Sequence, residues 1–469
     1  MNAAKQRELF ENSNVTQAIL RMAVPTVIGQ IILVIYNMAD TFYIGQTGND
    51  AMITAVTVCM PAFMFLSAIS NLFGVGGASV ISRSLGLGSG RQVSLASCFA
   101  FWGCLAVTGL YSLLAWLGRD LFVDLLGGTN PEAHRAAVDY LLYTVILGGT
   151  VTSTGVLMSH LIRAEGRALH ASIGIALGGI MNILLDPLFI FVLLPPEKAA
   201  MGAALATSLS NLISLLYFVC MMLYNRKHSF LSFRFTKDCF GMEIPGSIFT
   251  AGIPACVMTL FENVSYAVLD KLMSFNGIQM QAGIGVAKKV NMLAHCTVRG
   301  IAQGSLPLIG YSYAAKQYTR MRHAVRVSHN LAVATAAACM AVSLIWARPL
   351  ISIFIHHASS SLDYGTAFLR ILCVGGPFSA SAYTYISFFQ ATGEGKKSFL
   401  LAILRKGVVD IPLMFLLQMM LPVFGIVLAT PLADAVCCLA ANLVFAAYIR
   451  NLSGELKLRR HMDAAERLA

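Results

Sequence analysis

The sequence predicts an all-α integral membrane protein: twelve transmembrane helices in two six-helix lobes related by a pseudo-twofold axis along the membrane normal. Three observations carry this prediction. Of 469 residues 57% are hydrophobic and only 12% charged, with a mean hydropathy of +0.71, which leaves too few charges to cover a water-soluble surface of that size. Apolar stretches long enough to cross about 30 Å of hydrocarbon, roughly 20 residues each, recur along the whole chain. The chain is also written twice. Ala164-Glu-Gly166 returns as Ala391-Thr-Gly393, Gly202 to Asn211 as Gly425 to Asp434, Val24-Pro25 as Ile253-Pro254, and Gly77-Ala-Ser79 as Gly304-Ser-Leu306. Tandem copies of a large apolar unit place any central cavity between them, as in many membrane transporters.

Helices are expected over 18–44, 52–82, 93–117, 137–162, 169–194 and 200–224 in the first half. In the second half they are expected over 247–273, 281–310, 324–347, 366–390, 399–421 and 425–449. Backbone facing lipid must satisfy its own hydrogen bonds, so these are helices and not open sheet. The polar stretch from Asn225 to Glu243 falls at the repeat boundary and reads as an inter-lobe linker. It separates an N-lobe (1–224) from a C-lobe (244–469), with the linker itself at 225–243. Each half has an even number of helices, so both enter the membrane from the same face. The segment from Lys457 to Ala469 reads as a charged, surface-bound amphipathic tail.

Net charge is +11, but its placement points away from nucleic acid. Arg226, Lys227, Arg234, Lys237, Lys316, Arg320, Arg322, Lys396 and Lys397 all lie on one side of the predicted membrane. Arg119, Arg135, Lys198 and Arg348 lie in the opposite loops. The positive-inside rule then makes the linker and both termini cytoplasmic, for a multi-pass protein of the cell membrane. The first 17 residues are polar and lack the apolar core of a cleavable signal peptide. The 11 cysteines form no CxxC pair and read as free thiols.

Polar residues inside apolar helices mark the candidate site, because an ionised group there costs a few kcal/mol unless it is solvated or partnered. Asp40 closes the run Ile-Ile-Leu-Val-Ile-Tyr-Asn-Met-Ala-Asp in helix one. On helix five, Asn182 and Asp186 are four residues apart and share a face. Helix six supplies Thr207. Counted from the outer helix ends, all three helices place these groups at a common depth. Pro25 and Pro187 each free a backbone carbonyl and are expected to bend their helices. Carboxylates beside loosened carbonyls make a site for Na⁺ or a proton. At the repeat shift Asp40 meets Leu269 or Asp270, Asn182 meets Val409 and Asp186 meets Leu413, so the cluster belongs to the first lobe. The second lobe carries Glu262, Asp410 and Asp434, which, with Tyr36 and Asn37 of helix one, are expected to line a substrate cavity. Asp270, Lys271, Lys288 and Lys289 read as pairing or snorkelling groups at helix ends. Arg299 and His295, with Arg405 and Lys406 near the inner end of helix eleven, read as gate or interface residues.

The segments Ala39-Asp-Thr-Phe-Tyr-Ile-Gly45, Arg163-Ala-Glu-Gly166, Asn182-x3-Asp-Pro-Leu-Phe-Ile190 and Gln303-Gly-Ser-Leu-Pro-Leu-Ile-Gly-Tyr311 resemble those of multidrug and toxic compound extrusion (MATE) transporters, essentially end to end. The resemblance implies two lobes around a cavity open to one side at a time, exporting small organic cations in exchange for Na⁺ or H⁺. It implies an ion site at Asp40, Asn182, Asp186 and Thr207, and gives Glu262 the place of a helix-seven acid that some members use in the second lobe. The helix-ten acid that accompanies it in those members is missing, since Arg370 to Gln390 contains no Asp or Glu. No cofactor beyond the coupling ion is expected, nor a partner beyond substrate and lipid; the chain is expected to act as a monomer.

Two other functional classes fit the sequence less well. A flippase for lipids or saccharide-lipids of the same architecture would favour a cationic cavity for an anionic headgroup, against which the lobe acids argue. An enzyme is not expected. His134-Arg-Ala-Ala-Val-Asp139 matches an HxxxxD acyltransferase pattern without a companion motif, and Gly395-Lys-Lys-Ser398 has Gln390 where a P-loop needs glycine.

Overall fold

The computed structural model describes residues 8–125, 131–241, 243–355 and 360–466. It contains twelve helical paths. In the first lobe these are α1 (Val15–Gln46), α2 (Asp50–Gly86), α3 (Gly90–Leu117), α4 (Pro131–Leu141 and Gly149–Ala164, joined through a π turn), α5 (Ala168–Pro187, continued by a π-wound Leu188–Leu193) and α6 (Ala199–Tyr224). In the second they are α7 (Glu243–Ser274), α8 (Ile278–Ala314), α9 (Tyr318–Ile345), α10 (Ser360–Val374 and Gly376–Thr392), α11 (Gly395–Ile403, a π segment Leu404–Asp410, and Ile411–Met420) and α12 (Phe424–Glu466). The last path includes most of the expected C-terminal tail, of which residues 467–469 lie outside the described residues.

Among the described residues, eight helices are single, long and apolar enough to cross a bilayer; α4 is a ninth when its two segments, bent by 46°, count as one span. The three other paths have readable causes. α8 carries Lys288, Lys289 and Arg299. α10 is broken at Gly375 into pieces of 15 and 17 residues. α11 is split by its π segment, which holds Arg405, Lys406 and Asp410. The polar cargo of the C-lobe is what dilutes its apolar signal.

Pro25 stays within an unbroken helix, and Thr26 Oγ1 donates to the Met22 carbonyl at 2.7 Å beside it. Pro187 marks the point at which α5 passes from α to π winding. An added residue per turn re-aims the side chains beyond it.

The lobes meet through two equivalent helix pairs, α1 with α8 and α2 with α7, which the sequence repeat interchanges. Glycine permits both. A Cβ on Gly300 would come within 2.7 Å of Val27 Cα, and one on Gly304 within 2.7 Å of Ala23 Cα. A Cβ on Gly252 would collide with the Leu72 carbonyl oxygen, and one on Gly76 with that of Ile248. Ser79 Oγ donates to the Gln390 carbonyl (2.5 Å) and Asn71 Nδ2 to Thr259 Oγ1 (3.0 Å). These contacts lie in the halves of the helices nearest the linker. The seam there is filled by the N-terminal turn: Phe10 stacks on Tyr311 (4.9 Å between ring centres), and Arg320 Nε donates to the Phe10 carbonyl at 2.7 Å. The lobes are therefore sealed on the linker side.

The linker is docked on the N-lobe. Glu165, buried at the end of α4, accepts from Ser229 Oγ (2.8 and 2.9 Å) and from Phe230 N (2.7 Å). Arg167 Nη2 donates to the His228 carbonyl, Trp102 Nε1 to the Phe233 carbonyl, and Ser97 Oγ accepts from Ser232 N.

Two outcomes are expected. Glu165→Ala frees the linker, so limited trypsin cleaves after Arg226, Lys227, Arg234 or Lys237 about tenfold faster than in the wild type, for a loss of charge-assisted bonds worth roughly 1.5–3 kcal/mol. Gly252→Val pushes α7 off the α2 backbone at a cost of about 1–3 kcal/mol, read as faster hydrogen exchange in the linker-side turns of both helices.

Candidate functional site

Two polar clusters lie inside the helical layer, one in each lobe, and they are built on opposite principles. In the N-lobe, Asn182 Nδ2 donates both to Asp186 Oδ1 and to Thr207 Oγ1, each at 3.2 Å. The first contact follows from helical spacing; the second ties α5 to α6. Asp186 is fully buried and Asn182 nearly so. Asp40 reaches the same region from α1 and lies within electrostatic range of Asp186. The three residues sit six, seven and eight positions from the helix ends at Gln46, Leu193 and Ala199, or about 9–12 Å deep at 1.5 Å per residue.

Helices α1 and α5 can approach this closely because Gly29 faces Ser172, and Gly179 faces Ile32 and Tyr36. Tyr36 thus packs on α5 beside the acids. Asn37 spends its amide on its own helix, donating to the Leu33 carbonyl at 2.6 Å. Tyr140, buried on α4, lies in electrostatic range of both carboxylates and has no sequence signal that singles it out.

The cluster is short of donors. Asp40 Oδ1, Asp186 Oδ2 and Asn182 Oδ1 are buried and accept no hydrogen bond among the described residues. Buried acceptors normally find a donor, so three unmatched oxygens in one place are the complement of a cation or a proton. Lys289 of α8 is the cation in electrostatic range of Asp40, from the other lobe. Carboxylate, amide and hydroxyl oxygens suit a hard monovalent cation. Asp40, Asn182, Asp186 and Thr207 are the residues that can hold it.

In the C-lobe cluster, each of three acids has a cation. Arg405 Nε bonds Asp434 Oδ1 at 2.7 Å, and its Nη2 donates to Ser379 Oγ at 2.8 Å. Lys406 Nζ bonds Asp410 Oδ2 at 2.8 Å, while Ser265 and Thr430 donate to the same carboxylate at 2.6 and 3.1 Å. Arg299 Nη2 bonds Glu262 Oε2 at 2.7 Å, and Tyr383 donates to Glu262 Oε1 at 3.1 Å. His295 Nδ1 lies 3.3 Å from Ser379 Oγ and extends the network. Three carboxylates thus face three cations.

This differs from the expected roles. Asp410 and Asp434 are buried in ion pairs inside the lobe and do not line an open cavity in this conformation. Arg405 and Lys406 are interior partners within the π segment of α11, not groups at its inner end. Ser265, Ser379, Tyr383 and Thr430 were missed because a hydroxyl in an apolar helix is too common to read. Outside the clusters, Lys288 bonds Asp270 at 2.5 Å. His134 contacts Asp120 and Asp124 at 3.5 and 3.1 Å, the acids of the preceding short helix (Arg119–Leu125). All 11 cysteines are free.

The sequence pattern of the MatE family matches residues 25–188 and 254–416, one copy in each lobe. The chain belongs to the MatE family. It is 28% identical over 440 residues to the multidrug export protein MepA of Staphylococcus saprophyticus, covering 94% of this chain and 95% of that one. To MepA of Staphylococcus aureus strain MRSA252 it is 26% identical over 449 residues, with the same coverage. Among solved structures it superposes on a MATE crystallised with MaL6 (TM-score 0.88, 22% identity, 96% of this chain and 99% of that one). It also superposes on the outward-facing conformation of a multidrug resistance MATE transporter of the MOP superfamily, with the same score, identity and coverage. These structures share the MatE fold seen here.

The C-lobe pairs give a sharp expectation. Arg405→Met strands the Asp434 carboxylate and costs about 3–5 kcal/mol, whereas Arg405→Met with Asp434→Leu recovers most of it. Thermal unfolding of the purified single and double variants measures the difference.

Proposed function

We propose that this chain is a multidrug exporter of the cell membrane that moves amphipathic organic cations outward in exchange for Na⁺ or H⁺. The observation that carries the reading is the set of three donorless oxygens on Asp40, Asp186 and Asn182. Supporting it are the MatE pattern in both lobes and the multidrug export named for the relatives. In this reading the linker and termini face the cytoplasm, so the seal on the linker side leaves the N-lobe site approachable from outside.

The coupling ion is cargo. Arriving at Asp40 and Asp186, it neutralises two carboxylates that otherwise repel each other in a low-dielectric setting. Asn182 holds Asp186 and Thr207 in place for it. Neutralisation lets α1 shift against α5 along the close Gly29 and Gly179 contacts, which shrinks the space beside Tyr36 and Asn37 and releases the bound organic cation. Ion and substrate then share the same negative charge, so each weakens binding of the other by the same factor, roughly tenfold or more. The charge balance of the C-lobe weighs against a flippase for anionic headgroups, since Arg299, Arg405 and Lys406 already hold acids.

Proteoliposomes loaded with a fluorescent organic cation, with a Na⁺ or a pH gradient imposed separately, test the reading and identify the ion. Asp40→Asn and Asp186→Asn are expected to reach the membrane in normal amounts yet lose gradient-driven efflux at least tenfold, the scale of a lost charge contact of about 1.4 kcal/mol. Full efflux by Asp40→Asn rejects the exchange at this site.

A further inference from the structure

The linker-side ends of α5 and α6 enclose an open pocket of about 480 Å³, lined by His170 of α5 and by Tyr217, Cys220, Met221, Tyr224 and Asn225 along the end of α6. One turn further in the two helices close up: Ser214 Oγ donates to the Gly174 carbonyl at 2.7 Å, and a Cβ on Gly174 would collide with the Phe218 ring. Two polar groups meet in the lining, His170 Nδ1 and the Tyr217 hydroxyl, 3.1 Å apart. His170 stands two positions after the start of α5 at Ala168 and Tyr217 seven before the end of α6 at Tyr224, so the pocket occupies about the outer 10 Å of the helical layer. That is the level of lipid headgroups, where tyrosine is at home. The turn Arg226–His228 follows at once, all three side chains exposed. Arg167 Nη2 donates to the His228 carbonyl at 2.7 Å and His228 N to the Asn225 carbonyl at 2.8 Å, which holds this basic turn beside the start of α5. Glu165, the nearest acid in sequence, is held by Arg167, Ser229 and Phe230, and neither Arg226 nor Lys227 bonds a carboxylate among the described residues. Beside the pocket, Leu169 and Ile173 on α5 and Leu216 and Leu223 on α6 are exposed.

A basic mouth, a hydroxyl beside an imidazole and an apolar flank, in that order from the surface inward, match the parts of one amphiphile. We propose that the pocket is a specific site for an anionic glycerophospholipid of the linker-side leaflet. Its phosphate lies against Arg226 and Lys227, its glycerol ester groups reach the Tyr217 hydroxyl and His170, and an acyl chain runs along the exposed leucines between α5 and α6. Charge complementarity selects this occupant. A zwitterionic lipid carries its own ammonium group, which offsets the attraction of its phosphate to the turn. A free phosphate has no chain to cover the apolar flank, and an amphipathic cation is repelled at the mouth. The bound lipid joins the two helices whose other halves hold Asn182, Asp186 and Thr207, without touching that cluster.

Retention of dioleoyl phosphatidylglycerol, dioleoyl phosphatidylcholine and glycerol phosphate by the purified full chain in detergent micelles, counted by native mass spectrometry, tests the proposal. The wild type is expected to hold one phosphatidylglycerol about tenfold more tightly than phosphatidylcholine or glycerol phosphate. Arg226→Gln with Lys227→Gln is expected to weaken that binding about thirtyfold, the scale for two basic residues at a membrane surface. Lys316→Gln with Lys396→Gln removes two exposed cations from the same membrane face of the C-lobe and is expected to leave it within about threefold. Cys220→Trp fills the pocket without altering charge and is expected to weaken it about tenfold. Equal retention of the two phospholipids, equal loss in the two double variants, or unchanged binding in Cys220→Trp overturns the proposal. Glycerol phosphate held as tightly as the lipid overturns it too, since the site then reads phosphate alone, as does tetraphenylphosphonium retained in place of the lipid and lost in Cys220→Trp. Should Cys220→Trp fail to fold, the comparison of the two double variants decides. None of these readouts involves transport, so the site stands or falls separately from the exchange of ions.

Discussion

The constraint on which the rest of this molecule depends is the cost of an unmatched charge away from water. The two lobes answer it in opposite ways. In the C-lobe, Glu262, Asp410 and Asp434 each hold a cation from within the lobe, and hydroxyls of Ser265, Ser379, Tyr383 and Thr430 satisfy part of the remaining demand. In the N-lobe, Asp40 and Asp186 share a region with Asn182 and no lysine or arginine of their own lobe bonds them among the described residues. One lobe pairs its three clustered acids with its own cations; the other leaves Asp40 Oδ1, Asp186 Oδ2 and Asn182 Oδ1 without a donor among the described residues. A fold doubled in sequence is thus single in its chemistry, because the repeat preserved the helices and not the charges.

Close backbone contact makes this asymmetry usable. The lobes meet through glycines, at Gly252 and Gly76 on one side of the pseudo-twofold and at Gly300 and Gly304 on the other. Such contacts bring the helix backbones close and seal the linker side in this conformation. The linker rides on the N-lobe through Glu165, Arg167 and Trp102. It tethers the lobes while packed on the first of them. Phe10 and Tyr311, stacked across that seam, mark the N-terminal turn as part of the closure.

Two of the broken helices carry buried charge at or next to the break. The π segment of α11 carries Arg405, Lys406 and Asp410 to the lobe interior, within the span expected over 399–421. The π turn after Pro187 sits next to Asp186. In α11 the irregular winding is packed inside the lobe, with Arg405, Lys406 and Asp410 bonded to neighbouring groups, whereas beyond Pro187 only Ile190 of the π segment is buried.

The sequence by itself determined what is local or additive. Composition and periodic apolar runs gave a twelve-path membrane fold, the repeat gave two lobes, and a four-residue spacing put Asn182 and Asp186 on one face. Depth counting from helix ends was enough to associate Asp40 and Thr207 with them, because helical rise is constant. Only the tertiary structure decided which charges meet. Arg405 pairs with Asp434 across 29 positions, and Glu262 with Arg299 and Tyr383 from three separate helices. Nothing in the local pattern distinguishes a buried acid that lines a cavity from one that holds an arginine. That distinction rests on helix packing, which sets whether a carboxylate lies beside a cation or beside another acid.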